Sequence, residues 1–166
     1  MWDYDTYAPL ASWFESTWLG GQMRNVFWLF PLSETLHFIG LTILFGALLV
    51  IDVRILGYGR FINLKAAMNF IPIAIGGFLV NLITGFAFLC ADPFRYFPNI
   101  AFQWKMGMII LAGINALWFW FGEHKELMQL ADGEDAQFRA KVIAGLSLAL
   151  WLSVIVLGRF MPYVEY

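Results

Sequence analysis

Charge is what this chain has least of. Asp, Glu, Lys and Arg make up 13% of its 166 residues while 61% are apolar, and a soluble domain carries about a quarter charged residues. That shortage excludes a water-soluble globule, because a chain of this size cannot hide so much apolar surface. The net charge of −2 supplies no basic face, so no nucleic-acid partner is expected. One cysteine, Cys90, excludes an internal disulfide and any cysteine-based metal cluster within one chain. Only two histidines, His37 and His124, limit every haem or metal scheme. The opening Met1-Trp2-Asp3-Tyr4-Asp5 lacks the basic n-region of a cleavable signal peptide, so the first spanning segment is expected to direct insertion. There is no low-complexity tract and no second domain.

What is present is four long apolar runs, at about 30–56, 66–91, 101–122 and 142–161. Each reaches the ~20 residues that a helix needs to cross about 30 Å of hydrocarbon, and only helices satisfy the backbone of a single chain of such runs in lipid. Pro31 suits the first turn of the first span, Asp92-Pro93 stops the second, and Pro162 stops the fourth. Residues 1–29 precede them, and Ala8 to Leu19 mixes Trp13, Phe14 and Trp18 with Ser12, Glu15 and Ser16. This segment is too short and polar to span and reads as an interfacial amphipathic piece ended by Gly20-Gly21. Between spans three and four, Glu123 to Lys141 predicts an amphipathic extension that breaks at Gly133. The expected fold is therefore an all-α integral membrane four-transmembrane-helix bundle, a single membrane domain with an interfacial N-terminal segment. Arg54, Arg60, Lys65, Lys125, Arg139 and Lys141 collect in the first and third loops, which places those loops in the cytoplasm and both termini in the periplasm of a bacterial inner membrane.

Inside the first span, Ser33-Glu34-Thr35-Leu36-His37-Phe38-Ile39-Gly40 carries an acid and an imidazole three residues apart, on one helical face. Ionisable groups at this depth cost a few kcal/mol each and mark functional sites by default. Gly40, one turn on, leaves room for a flat ligand or a close helix. Antiparallel threading brings Asp92, Arg95, Gln103, Trp104, Lys105 and Arg159 to the same level. Arg159 is the natural counter-charge to Glu34, and Lys105 is the next candidate. His124 falls at the far end of span three, so the two histidines cannot clamp one haem, and the Glu-x-x-His spacing lacks the second copy that a di-iron bundle needs. His37 is left as the one metal or haem ligand, with Glu34 orienting it. Each residue also has a plain structural reading. Glu34 and His37 could be a buried pair, Arg159 could snorkel to the interface, His124 sits on a solvated face, and Asp52 and Arg54 serve as topology anchors. The stripe Gly77, Asn81, Gly85, with Thr84 beside it, predicts close helix packing, with Asn81 and Asn115 at a depth where they could bond each other.

The run Glu34 to Gly40, its continuation through Ile51-Asp52-Val53-Arg54-Ile55-Leu56-Gly57, and the closing Gly158-Arg159-Phe160 resemble a group of small bacterial four-helix membrane proteins over nearly the whole chain. A looser resemblance is to the membrane domains of CopD-type copper-resistance proteins, whose further histidines are absent here. The resemblance implies the four-span topology and the choice of Glu34, His37 and Arg159. The leading expectation is a periplasmic-side polar pocket of His37, Glu34, Arg159 and Lys105 that binds haem b or a quinone, in a protein without catalytic activity of its own. The alternatives are an accessory subunit of a larger membrane complex or homo-oligomer, and an oligomeric solute or ion transporter.

Overall fold

The computed structural model describes residues 4–130 and 134–164, and all regular structure among them is helical. Two short helices come first, α1 (Tyr4–Glu15) and α2 (Trp18–Asn25). They part at Thr17, whose hydroxyl oxygen accepts the Gly20 N–H at 3.1 Å and caps α2. Gly20 and Gly21 thus lie inside a helix, and the expected stop at these two residues is corrected. Gly20 is there for contact: a Cβ on it would run into the Cys90 carbonyl oxygen.

Four spans follow. The first is α3 (Leu29–Ile55). The second is a short α4 (Leu64–Met68) capped by Asn63, followed by α5 (Ile71–Ala91) with Pro72 in its first turn. A one-turn α6 (Pro93–Tyr96) leads to α7 (Ile100–Trp118), whose cap Asn99 accepts the Phe102 N–H at 3.2 Å. The third span continues through a π-helical turn (Phe119–Glu123) into α8 (His124–Gln129). The fourth is α9 (Phe138–Phe160). All four are long and apolar enough to cross a membrane. The amphipathic extension of span three is present to Gln129, whereas the expected break at Gly133 lies outside the described residues.

Along every span the inward positions recur at steps of three and four, the coiled-coil spacing. On α3 these are Ser33, His37, Gly40, Leu44, Ala47, Ile51 and Ile55, and on α7 they are Ala101, Lys105, Met108, Ala112, Asn115 and Phe119. The π turn inserts one extra residue into this rhythm. The inward position after Phe119 becomes Glu123 and then Leu127, both buried, rather than Gly122 and Glu126, which are exposed.

Small residues decide how the helices touch. α3 and α5 cross at Gly40 and Gly77. A Cβ on Gly77 would lie 2.6 Å from the Leu44 nitrogen and 2.8 Å from the Gly40 carbonyl oxygen. α3 also packs on α9, and α9 packs on α7. Among the described residues α5 and α7 share no comparable contact, so the bundle is open between the second and third spans. On the side of the membrane away from the termini, Ile51, Ile55, Leu64, Met68, Leu127, Ala136, Ala140 and Ala144 form an apolar cluster that closes the end of the bundle.

Candidate functional site

His37 is on the inward seam of α3 and its ring reaches α5. Its Nδ1 lies 2.7 Å from the Thr84 hydroxyl oxygen. Thr84 donates its one hydrogen back along its own helix, to the Val80 carbonyl oxygen at 2.7 Å. The Thr84 oxygen is therefore the acceptor, the imidazole proton resides on Nδ1, and Nε2 presents a bare lone pair. Gly85 borders the ring, with His37 Cε1 3.7 Å from where a Cβ would stand. Phe88 packs on the ring with centroids 5.5 Å apart.

Lys105 enters from α7. Its ammonium lies over Gly158 of α9, where a Cβ would stand 3.4 Å from Nζ. It makes no ion pair among the described residues. The inward seams thus carry a bare imidazole nitrogen on α3 and an ammonium without an ion-pair partner on α7, both half-buried.

The other two residues expected in this group are elsewhere. Glu34 is exposed on the outer surface of α3, with no hydrogen bond or ion pair among the described residues. The two side chains are about 60° apart around the helix, and α5 covers only the His37 side, because the Gly40–Gly77 crossing makes the contact tight but narrow. Arg159 is exposed as well. It donates to the Tyr163 hydroxyl at 3.1 Å and lies over that ring at 5.3 Å, so its partner is aromatic and local rather than Glu34. In the Gly158-Arg159 pair it is the glycine that faces inward. The space beside Gly40 is filled by α5, with the Asn81 amide nitrogen and Val80 Cγ1 both within 3 Å of where a Cβ would stand.

Thr84, which holds the His37 ring, was read in the sequence only as part of a packing face. Its signal was its place one turn past Asn81 on the small-residue stripe of α5. Asn81 and Asn115 do not pair: Asn81 donates to its own helix at Gly77, 2.9 Å, and Asn115 to the Ile143 carbonyl of α9, 3.1 Å. Gln103 is spent on the Phe97 carbonyl at 2.9 Å. His124 stacks on Trp120 with centroids 4.5 Å apart.

Toward the termini, a recess of about 450 Å³ is lined by Glu15, Arg24, Phe27, Phe30 and Asp92 among others. Arg24 is fixed there by three carbonyl oxygens, those of Glu15 (2.7 Å), Ala91 (3.1 Å) and Cys90 (3.3 Å). Phe88 links the two regions, since its ring contacts both Phe30, at 5.3 Å, and His37. No family model, no curated protein and no solved structure matches this chain.

Proposed function

We propose that this is a bacterial inner-membrane protein, with both termini periplasmic, that binds a quinone or quinol between His37 and Lys105. The observation that carries this reading is that two half-buried groups on the inward seams, a bare imidazole nitrogen on α3 and an ammonium on α7, both lack partners among the described residues. A quinol hydroxyl complements both at once, donating its hydrogen to Nε2 and accepting from Lys105 Nζ, and a quinone carbonyl accepts from Lys105 alone. The recess bordered by Phe30, whose ring touches Phe88, has the size of a small-molecule site. Haem b is the second ligand of this reading. His37 would supply Nε2 to the iron and Thr84 would hold Nδ1–H, the orienting role that was expected of Glu34. The close α3–α5 crossing favours the narrower quinone ring.

The test is titration of the reconstituted protein with a short-chain ubiquinone, read by quenching of its eight tryptophans, beside a visible absorbance scan. Saturable quenching lost in His37→Ala and Lys105→Met, and kept in Glu34→Gln and Arg159→Gln, supports the quinone site. A Soret band that disappears in His37→Ala assigns the site to haem. Neither signal ends the ligand-binding reading.

One observation favours a second reading, an accessory subunit or homo-oligomer. Glu34 stands unpartnered on the outer surface of a spanning helix, and the third span has only 17% of its apolar window buried within the chain. An outward carboxyl in hydrocarbon is matched by a polar group on a neighbouring helix. Glu34→Gln should then shift the assembly on native gels without changing ligand binding.

A further inference from the structure

A second polar group lies at the opposite end of the same helix. Asp52 is fifteen residues beyond His37 on α3, about 22 Å along the axis, and it is 5% exposed. Ser147 of α9, itself buried, is its side-chain hydrogen-bond partner. The second carboxyl oxygen, Oδ2, has no partner. Asn115 of α7 is also 5% exposed, and while its amide nitrogen donates to the Ile143 carbonyl, its oxygen Oδ1 has no partner either. An α-helical carbonyl points toward the residue four positions on, so the Ile143 carbonyl is at the level of Ser147. The two orphaned oxygens, one from α3 and one from α7, therefore address the same turn of α9.

The groups around this turn supply no compensating charge. Arg54, buried on Asp52's own helix, has its Nε committed to the Ile62 carbonyl at 2.6 Å. Arg60 pairs with Asp135 at 2.7 Å, and Lys141 Nζ reaches Gly57 in the same outer layer. Glu123, brought inward by the π turn, adds a carboxyl rather than a cation. Lys65, Lys125, Glu126 and Arg139 are exposed on α4, α8 and α9, and His124 is stacked on Trp120. Among the described residues no Lys, Arg or His nitrogen comes within 4.0 Å of the Asp52 carboxylate. The apolar cluster around Ile51, Ile55 and Ala144 covers the site from the near membrane surface.

Two buried oxygens without a hydrogen-bond partner, Asp52 Oδ2 and Asn115 Oδ1, beside the Ser147 hydroxyl and with no counter-charge, define what is missing. A water molecule would bring hydrogens but leave a carboxylate uncompensated, and a small cation resolves both deficits. We propose that Asp52, Asn115 and Ser147 hold one monovalent cation, a proton or an alkali ion, inside the bundle. As a proton, it forms an O–H bond on the Asp52 carboxyl, which then donates toward Asn115 Oδ1. As an alkali ion, it is ligated by the carboxylate, the amide oxygen and the Ser147 hydroxyl, all hard oxygen donors. The site is independent of the His37 region and would stand if the quinone reading failed.

Infrared difference spectra of the full chain in lipid nanodiscs test this, comparing wild type with Asp52→Asn at neutral pH, with and without sodium. A protonated-carboxyl band present in wild type and absent from Asp52→Asn assigns a proton. A sodium-dependent shift of the carboxylate stretch, absent from Asp52→Asn, assigns an alkali ion. Wild-type spectra showing neither overturn the proposal, whether or not Asp52→Asn folds. Asn115→Leu and Ser147→Ala keep the carboxyl and should each move its band, and a band unmoved in both overturns the shared site.

Discussion

Replacing Gly77 by alanine tests the contact on which the His37 site is built. The added methyl would sit 2.6 Å from the Leu44 nitrogen, 2.8 Å from the Gly40 carbonyl oxygen and 3.0 Å from Leu44 Cα, all backbone atoms that cannot rotate away. Reaching ordinary contact at 3.4 Å requires α3 and α5 to part by about 0.8 Å. Overpacking of this kind costs about 1–3 kcal/mol. The adjacent Gly76 is the control, since a Cβ there meets nothing within 4 Å, and alanine in its place is neutral or stabilising by up to about 1 kcal/mol from helix propensity. Gly40→Ala should fall between the two, because its two nearest obstacles are the Asn81 and Val80 side chains, which can give way. Unfolding in mixed micelles with increasing SDS, followed by circular dichroism, orders the three variants. Equal stability of Gly77→Ala and Gly76→Ala would refute the close crossing, and with it the placement of Thr84 against His37.

Two further outcomes follow from named contacts. Thr84→Val removes the acceptor for His37 Nδ1–H and leaves a half-buried donor unpaired, a loss of about 1 kcal/mol in the same unfolding assay, and Thr84→Ser should restore it; identical stability of valine and serine variants would reject the assigned hydrogen bond. Gly20→Ala drives a methyl into the Cys90 carbonyl, so limited proteolysis should cut the α1–α2 segment faster while the four spans melt unchanged; unaltered cleavage would mean that α2 does not dock there.

The four spans were legible because lipid removes every alternative to a helix, and composition alone marks where lipid begins and ends. Their inward faces were partly legible too. The Gly77-Asn81-Gly85 stripe, with Thr84 beside it, was visible as a packing face, and it is the face that meets α3. The candidate site was legible only as a set of residue types. The three-residue spacing of Glu34 and His37 puts them on one broad side of a helix, but a contact made by two glycines is narrow enough to bury one and leave the other outside. The same reasoning chose Arg159 over its neighbour Gly158, since charge is conspicuous in a sequence and room for another residue's charge is not. Asp52 looked like an anchor because it is one turn from the end of its span; the apolar cluster contributed by α4, α8 and the start of α9 makes that turn interior.

By itself, then, the sequence determined that this chain is a membrane protein of four helices, with ionisable residues near both ends of the first. Only the tertiary structure decided that His37 is held by Thr84, that Glu34 and Arg159 face outward, and that Asp52 is enclosed with its own Oδ2 unsatisfied, as Asn115 Oδ1 is. The reason is physical. Partition into lipid depends on composition summed over some twenty residues, whereas the partner of a single polar atom depends on helix rotations and sub-ångström approaches that small residues set between segments far apart in the chain.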